Sequence, residues 1–403
     1  MDKKKVLFAI HYLELGGAER SLIGLLGALD YCRVDVDLFV YAHRGELMKD
    51  IPSQVHLLPE IPEYAQIERP MKDVLKQGYW RIVWARLKAK LQFKRYVKRY
   101  HPKERSAVFS YVMKNVMPCL PSIMPNKEYD MAVSFLTPHD VVRDKVRARK
   151  KTAWIHTDYS WIDVDSALEL PVWNAYNHIV AVSERVSDAF VDVFPSLKQK
   201  TMVIENILSP RFVQTRAEAI AMDVVELEMP NREGIVNLLS IGRFSEQKNF
   251  DNVPDICRRI LERGISVMWY LIGFGGDEAF IRQKIAEAGM EGHVILLGKK
   301  ENPYPYIKAC DVYVQPSRYE GKAVTVREAQ MLCKPVVVTN YPTADSQIAD
   351  GVDGVIVPLN NEDCASALAD FIADTERRTL LESNLRTRDY GNEAEAEKFM
   401  ALL

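Results

Sequence analysis

Two glutamates with seven residues between them, Glu320 and Glu328, stand among residue types that can bind a phosphorylated ligand. The apolar run at 312–314 predicts a buried strand, and a glycine turn at 320–322 separates it from a segment that can open a helix. Amides at a helix start suit anions, and a glycine lets a ligand approach the backbone closely. Carboxylates instead accept hydrogen bonds from hydroxyls. A site that offers both groups suits a sugar nucleotide.

A plainer interpretation of this stretch stays open. Thr325 and Glu328 have the spacing of a capping box, in which the glutamate only closes the helix start. Glu320 can equally be an exposed loop acid. Short motifs are weak signals on their own, so the choice depends on residues elsewhere in the chain.

Two cations in another loop favour the phosphate interpretation. A strand predicted at 235–241 ends in Gly242, and Arg243 and Lys248 follow it, five residues apart. Arg offers a planar fork and Lys a mobile point charge, so the pair can converge on one diphosphate. The ends of the next two predicted strands carry glycine or lysine, at Gly273, Gly275 and Lys299.

The first half of the chain also places glycines and a histidine after strands. A strand at 6–10 leads to Gly16 and Gly17, which form either a ligand loop or a simple tight turn. The GxGxxG fingerprint is absent there, so NAD and FAD are not indicated. His156 follows a strand predicted at 152–155. Its ring can face a cleft between domains or be a satisfied structural histidine.

Strands and helices alternate through both halves, which predicts an α/β fold of two doubly wound, Rossmann-like domains. The loops at the carboxyl ends of their strands are expected to face a shared cleft. The other predicted strands are 34–41, 130–136, 178–182, 267–272, 294–297, 334–339 and 354–357. We assign four segments: a first, acceptor-binding domain at 1–206, a linker with a short embedded helix at 207–234, a second domain at 235–390, and a C-terminal helix at 391–403 that can cross back to the first domain.

Residues 72–105 differ from the rest of the chain, with twelve Lys or Arg against two acidic residues. Six aromatic residues are interleaved with them, namely Tyr79, Trp80, Trp84, Phe93, Tyr96 and Tyr100. This pattern suits an anionic membrane surface. The alternatives are a nucleic-acid partner and a solvated helix whose aromatics pack on its own domain. Because no nucleic-acid module accompanies the patch, we predict membrane contact and no nucleic acid.

Composition indicates a globular protein of the cytoplasm. The 403 residues carry a net charge of −2, and the six cysteines are scattered without a CxxC pair. The apolar run near the N-terminus is too short for a signal peptide, and no run is long enough to span a membrane. We therefore expect a cytoplasmic protein, peripheral to the inner face of the cell membrane.

Taken together, these residues resemble retaining glycosyltransferases of family 4, of the bacterial surface and capsular polysaccharide type, which have the GT-B fold. The sequence GRFSEQKNF at 242–250 resembles the family's Arg-and-Lys loop, and Glu320 with Glu328 have its E-x7-E spacing. The segment at 348–355 resembles the one before its penultimate strand. In the first domain, the residues at 16–19 match the family's glycine loop.

The resemblance implies a role for each residue. Arg243 and Lys248 would neutralise the nucleotide diphosphate. Glu328 would hold the ribose hydroxyls, and Glu320 the donor sugar with His156 beside it. The implied donor-binding set also contains Gly16, Gly17, Gly242, Gly273, Gly275, Lys299, Gly321, Lys322, Ala323 and Val324. Lys322-Ala323 replaces the Phe-Gly that is usual in the family, which adds a charge near the diphosphate or the sugar.

The expected reaction moves a hexose from a nucleotide diphosphate sugar, a UDP-sugar in preference to a GDP-sugar, to a saccharide acceptor that is lipid-linked. No DxD motif follows a suitable strand, so we predict no metal and no cofactor. Two alternatives remain at this stage. One is a sugar-nucleotide epimerase of the same fold, and the other is a non-catalytic scaffold that binds a sugar nucleotide or a membrane.

Overall fold

The apolar runs of the sequence form two parallel sheets in two separate units. The structure, a computed structural model, describes residues 3–14, 16–102, 105–219, 222–320 and 323–403. Each unit has its own sheet and its own core. The units are Met1–Ile207 with Asn392–Leu403, and Leu208–Gly391.

The sheet of the first unit has seven strands in the described ranges. They are β1 Lys4–Ile10, β2 Val34–Val40, β3 His56–Leu57, β4 Tyr129–Ser134, β5 Ala148–Ile155, β6 His178–Ala181 and β7 Thr201–Val203. Their order is β3-β2-β1-β4-β5-β6-β7, so the direction of winding reverses beside β1. The strands β3 and β7 were not predicted, because two or three residues carry no readable apolar pattern. The strand β5 begins four residues before the prediction, because its charged first residues continue the pairing with β4.

The described part of the second unit has a six-stranded sheet. Its strands are β8 Val236–Ile241, β9 Val267–Ile272, β10 Val294–Gly298, β11 Val312–Gln315, β12 Val336–Thr339 and β13 Val355–Val357, in the order β10-β9-β8-β11-β12-β13. Alternate residues of β9 enter two different cores, with Tyr270 in one and Trp269 in the other. The sheet is therefore covered on both faces, as a doubly wound fold requires. The predicted α/β fold of two doubly wound domains is confirmed.

Helices connect the parallel strands and cover the sheets. The first unit has α1 Gly17–Ala28, α2 Pro62–Ala65, α3 Met71–Lys76, α4 Trp80–Tyr100, α5 Val108–Val116, α6 Asp140–Lys145, α7 Ser166–Asn174 and α8 Glu184–Val193. The second unit has α9 Pro210–Glu218, α10 Met222–Glu228, α11 Val253–Glu262, α12 Glu278–Ala288, α13 Tyr304–Ala309, α14 Val324–Met331, α15 Asn361–Ala373 and α16 Thr375–Arg386. The last helix is α17 Glu395–Met400.

The segment at 207–234, predicted as a linker with one short helix, contains both α9 and α10. Val213 and Val225 are buried in the core of the second unit. Asn302 Nδ2 also donates a hydrogen bond to the Arg216 carbonyl at 2.6 Å. The chain therefore joins the second unit at Leu208.

The C-terminal helix α17 packs in the first unit. Phe399 is fully buried, with its ring 5.4 Å from that of Phe8 and 5.9 Å from that of Trp154. Asn392 Nδ2 donates to the Asn206 carbonyl at 2.9 Å, and Lys150 Nζ donates to the Leu402 carbonyl at 2.8 Å. The C-terminal segment thus packs against strands β1 and β5 of the first unit.

We expect Phe399→Ala to destabilise the first unit by about 3–5 kcal/mol, because it removes a buried aromatic ring and leaves a cavity. Hydrogen–deuterium exchange of β1 and β5 in urea measures this unit alone, with β9 as an internal reference. The control is Glu397→Ala, since the exposed Glu397–Arg33 ion pair at 3.0 Å should contribute no more than about 1 kcal/mol. Equal, small effects of both substitutions would contradict the prediction.

Candidate functional site

The loops that follow β8 and β11 meet at the carboxyl edge of the second sheet. The two strands are neighbours, and the direction of winding reverses between them. Ligands of doubly wound sheets bind at such switch points. Two hydrogen bonds of 2.8 Å join the loops: the Arg318 backbone N–H donates to the Gln247 carbonyl, and Asn249 Nδ2 donates to the Pro316 carbonyl.

Lys248 and Glu320 form a buried ion pair between these loops. Lys248 Nζ lies 2.5 Å from Glu320 Oε1, and Glu320 is only 6% exposed. Ser317 Oγ donates to the same oxygen at 2.6 Å, and Gln247 Nε2 donates to the other oxygen at 3.3 Å. A buried carboxylate is costly unless it is paired and hydrogen-bonded. The network therefore fixes both charged groups in place before any ligand binds.

A row of hydrogen bonds along the end of β11 supports this carboxylate. Tyr313 Oη donates to Gln315 Oε1 at 2.7 Å, and Gln315 Nε2 donates to Ser317 Oγ at 2.8 Å. Burial raises the pKa of Tyr313 well above its usual range, so the hydroxyl stays protonated and can donate. Neither Gln315 nor Ser317 was predicted to support the site, although two polar residues directly after an apolar strand are a signal for that role.

Glu328 lies inside α14 and does not cap it. The helix begins at Val324 after Ala323, which makes no side-chain capping bond. Thr325 Oγ1 instead donates to Gln315 Oε1 at 3.2 Å, so the capping-box interpretation is wrong. The fully buried Glu328 accepts a hydrogen bond from Tyr304 Oη at 2.7 Å.

Two predicted site residues, Ala323 and Val324, lie at the start of α14. The backbone N–H of Ala323 donates to Gln347 Oε1 at 3.0 Å, and Gln347 Nε2 donates back to the Ala323 carbonyl at 2.7 Å. The amide of Ala323 is therefore engaged within the unit, whereas Val324 begins the helix. Gly321 and Lys322 lie outside the described residues.

Arg243 and Lys299 place two further cations at the same edge of the sheet. Arg243 follows β8, its side chain is exposed, and the described residues offer its guanidinium no hydrogen bond or ion pair. Lys299 follows β10, and its Nζ lies 5.4 Å from the centre of the Phe274 ring. A cation over an aromatic face is attracted by the negative face of the ring.

The glycines after β8 and β9 allow two loops to run in direct contact. A Cβ on Gly273 would lie 1.9 Å from the Gly242 carbonyl oxygen, and one on Gly275 would lie 2.2 Å from the Phe244 carbonyl oxygen. The Phe244 N–H donates to the Phe274 carbonyl at 2.9 Å across this contact. Because Gly273 and Gly275 lack a Cβ, the loop that carries Arg243 can pack directly against the loop after β9.

Gly16 and Gly17 open α1 in the first unit. Gly17 is the first helical residue, and a Cβ on Gly16 would lie 2.0 Å from Glu19 Oε2. Because Gly16 lacks a Cβ, the carboxylate of Glu19 can lie beside it at the start of α1. Burial raises the pKa of Glu19, which is 8% exposed.

Two histidines follow strands of the first sheet, His11 after β1 and His156 after β5. Burial lowers the pKa of His156 to about 4, so its ring is neutral near pH 7, and its Nε2 has no hydrogen-bond partner among the described residues. His11 directly follows β1, and its Nδ1 lies 2.7 Å from Glu68 Oε1. His11 was not predicted as a site residue, although it follows its strand just as His156 does.

The predicted site residues thus divide between the two units. The second sheet brings Arg243, Lys248, Lys299, Glu320 and the glycines after β8 and β9 to one edge, with Glu328 in the following helix. Gly16, Gly17 and His156 belong to the first unit. Across the described ranges, no three His, Cys, Asp or Glu side chains are grouped to hold a metal ion.

Comparison with known proteins finds that the second unit is similar to glycosyltransferases. Residues 230–388 match the family described as Glycosyl transferases group 1. The chain is 28% identical over 201 residues to the lipopolysaccharide core biosynthesis glycosyltransferase LpsE of Rhizobium meliloti. This matched region covers 50% of this chain and 54% of LpsE. It is 25% identical over 169 residues to the amylovoran biosynthesis glycosyltransferase AmsD of Erwinia amylovora. This matched region covers 41% of this chain and 47% of AmsD. The chain spans about half the length of these curated relatives.

The fold is shared over the whole chain. The crystal structure of Anabaena HepE in complex with UDP and glucose superposes with a TM-score of 0.66, covering 99% of this chain and 98% of HepE. At 16% sequence identity this similarity shows the fold alone. The predicted GT-B fold is confirmed.

Proposed function

We propose that this protein is a retaining glycosyltransferase that moves a hexose from a UDP-sugar to a lipid-linked saccharide acceptor in surface polysaccharide biosynthesis. The observation that carries the proposal is the Lys248–Glu320 pair at the switch point of the second sheet, within the segment that matches group 1 glycosyltransferases. Cations and carboxylates meet there, as a diphosphate bonded to a sugar requires. HepE, which shares the fold, binds UDP and glucose.

In the proposed reaction the bond between the sugar's anomeric carbon and the diphosphate oxygen breaks, and the acceptor oxygen bonds to the same carbon. Negative charge develops on the leaving diphosphate, where Arg243 and Lys248 stabilise it. The acceptor hydroxyl approaches on the face that the diphosphate leaves, and its proton passes to a phosphate oxygen. Glu320 and Glu328 accept hydrogen bonds from hydroxyls of the sugar and the ribose, and the reaction uses no metal.

We expect Arg243→Ala and Lys248→Ala each to lower kcat by about a hundredfold, as loss of one donor to a developing anion does. Arg243→Ala should leave the melting temperature unchanged, because the side chain is exposed. Lys248→Ala should lower it, because Glu320 loses its buried cation. Turnover is measured with UDP-sugars, and Arg282→Ala on the exposed side of α12 is the control. Unchanged turnover in both variants would refute the assignment.

The two glutamates should respond differently to substitution by glutamine. Glu328→Gln keeps an acceptor for Tyr304 but loses the charge, and a charge-assisted bond is roughly twice as strong as a neutral one. UDP and UDP-sugar should therefore both bind it more weakly. Glu320→Gln should bind UDP normally and the UDP-sugar more weakly, because its partner is the sugar.

Calorimetric titration of both variants with UDP and with a UDP-sugar tests this crossed pattern. Glu287→Gln, a neutralised carboxylate on the exposed side of α12, is the matched control. The same affinities in all variants and the wild-type protein would show that neither glutamate contacts the nucleotide sugar.

We also propose that α4 holds the protein on an anionic membrane. Ile82, Ala89 and Phe93 are buried on one side of this helix. The opposite side exposes four apolar residues at helical spacing, which we call the α4 stripe: Trp80 60%, Trp84 67%, Leu87 37% and Leu91 60% exposed. Exposed cations flank the stripe, among them Lys88, Lys90, Lys94 and Arg95. An apolar stripe between cations suits a helix that lies in the interface plane.

The aromatic residues of this region thus divide into two groups. Phe93 and Tyr96 pack within the unit, where Tyr96 lies 5.8 Å from the ring of Tyr111. Trp80 and Trp84 face outward. No helix of the described ranges combines the length and the apolar character needed to cross a bilayer.

Flotation with lipid vesicles tests the α4 stripe. Trp80→Ser with Trp84→Ser should lower recovery at low and at high salt, because buried apolar area is lost. Lys94→Gln with Arg95→Gln should lower it only at low salt, since each cation contributes roughly 1 kcal/mol that salt screens. Arg282→Gln is the control. Equal recovery of all proteins with neutral and with anionic vesicles would leave α4 a solvated helix.

A further inference from the structure

A cavity of about 700 Å³ lies in the first unit beneath α5, and we call it the α5 cavity. Its walls come from α5, from the segments after β4 and β5, and from α7. Most of its lining is apolar, with Phe109, Met113, Met117, Ile162, Val164 and Trp173 among the contributors. Its volume is within the range of small-molecule sites, so an extended apolar group can enter it.

The acidic and aromatic polar groups around Glu169 in the wall are already paired with one another. Glu169 accepts hydrogen bonds from Ser110 Oγ at 3.0 Å, from Tyr159 Oη at 3.2 Å and from Trp173 Nε1 at 3.3 Å. A saccharide needs donors and acceptors that are available to its hydroxyls, and displacing existing bonds would leave buried groups unpaired. A hydrocarbon chain needs none of them. The wall around Glu169 therefore favours a hydrocarbon ligand, whereas His156, elsewhere in the lining, keeps an Nε2 without a partner among the described residues.

The side chain of Arg143, which also lines the cavity, is paired with two carboxylates of the wall. The Arg143 guanidinium donates to Asp144 through Nε at 2.7 Å and through Nη2 at 2.6 Å, and it also lies 3.2 Å from Asp140. Its charge is thus balanced within the wall. Lys114, in contrast, is exposed where α5 borders the cavity, and the described residues give its ammonium no ion pair.

The cavity adjoins the helix that carries the α4 stripe. Helix α5 packs on α4, and Asn115 Nδ2 donates to Gln92 Oε1 across this contact at 2.7 Å. Tyr96 Oη of α4 lies 3.4 Å from the carbonyl of Val164, a residue of the cavity wall. The pair of helices α4 and α5 therefore exposes the α4 stripe on its outer side and lines the α5 cavity on its inner side. A hydrocarbon chain that leaves a bilayer at α4 would lie next to the cavity.

We propose that the α5 cavity binds the hydrocarbon chain of a lipid phosphate, the carrier of the acceptor, with the phosphate beside Lys114. This inference rests on the proposed function for the identity of the ligand. Binding itself requires no transfer reaction, so it can be measured separately. The apolar lining holds the chain by burial, and Lys114 supplies the cation for the phosphate.

The test is calorimetric titration of the full chain with monomeric farnesyl phosphate, with farnesol and with inorganic phosphate. The wild-type protein should bind farnesyl phosphate best, farnesol about tenfold more weakly, and inorganic phosphate not measurably. Lys114→Gln should bring farnesyl phosphate to the affinity of farnesol. Equal binding of farnesyl phosphate by the wild-type protein and by Lys114→Gln would overturn the role of this lysine.

Two substitutions in the wall test the cavity itself. Val164→Trp fills it and Leu168→Glu charges it, so each should weaken farnesyl phosphate at least tenfold. Leu380→Glu, at an exposed leucine of α16, is the matched control. Trp84→Ser in the α4 stripe should leave this binding unchanged, which separates the cavity from adsorption to α4. Wild-type affinity in both wall variants, checked for folding by their melting temperatures, would overturn the proposal.

The experiments distinguish failure of the proposed lipid binding in the α5 cavity from failure of the proposed transferase activity. If the protein binds farnesyl phosphate and no sugar nucleotide, the cavity stands and the transferase is wrong. If it transfers a sugar to a water-soluble saccharide and the wall variants bind farnesyl phosphate normally, the transferase stands and the cavity is wrong.

Discussion

The candidate site at the carboxyl edge of the second sheet depends on one ion pair, Lys248 with Glu320, between two loops that are far apart in the sequence. Because Glu320 is almost fully buried, its charge requires the ammonium of Lys248 close by. The loop after β8 therefore cannot shift without the loop after β11. Asn249 adopts a left-handed turn, φ 60°, directly after Lys248 and binds the Pro316 carbonyl, which fixes the path of the loop. The site is organised before a ligand arrives.

Under the proposed function this pair also couples two parts of one substrate. A diphosphate that draws on the charge of Lys248 weakens the attraction between Lys248 and Glu320. Hydroxyls of the sugar can then satisfy the carboxylate in place of the cation. The complete sugar nucleotide offers both groups at once, whereas a bare nucleotide offers only one. The same two residues can thus favour the intact donor over the spent one.

Local patterns predicted much of the fold. The strand β9 has the bounds that its apolar run predicts, since its residues are buried on both faces of a sheet. The helices α9 and α10 were not predicted separately, because their stability depends on packing against α13, which lies far along the chain. The site shows the same division. The spacing of Thr325 and Glu328 fits a cap, but the partners that the two side chains bind come from elsewhere in the chain, Gln315 for Thr325 and Tyr304 for Glu328.

The basic segment shows what a sequence pattern can and cannot resolve. Its charge and aromatic content identify a surface helix, but they do not tell which rings face inward. Counting helical turns from the buried Ile82, Ala89 and Phe93 would have placed Trp80 and Trp84 on the opposite side. The α5 cavity, in contrast, arises from four separate segments and has no local signal.

The return of the chain to the first unit has a consequence for how the protein folds during synthesis. The segment Asn392–Leu403 belongs to the first unit, and the whole second unit is translated between the two parts of that unit. Until Phe399 emerges from the ribosome, Phe8 and Trp154 lack a ring that covers them in the finished protein. The second unit is contiguous and can fold as soon as its own residues are free. Of these two units, the one that is translated first is therefore the one that is completed last.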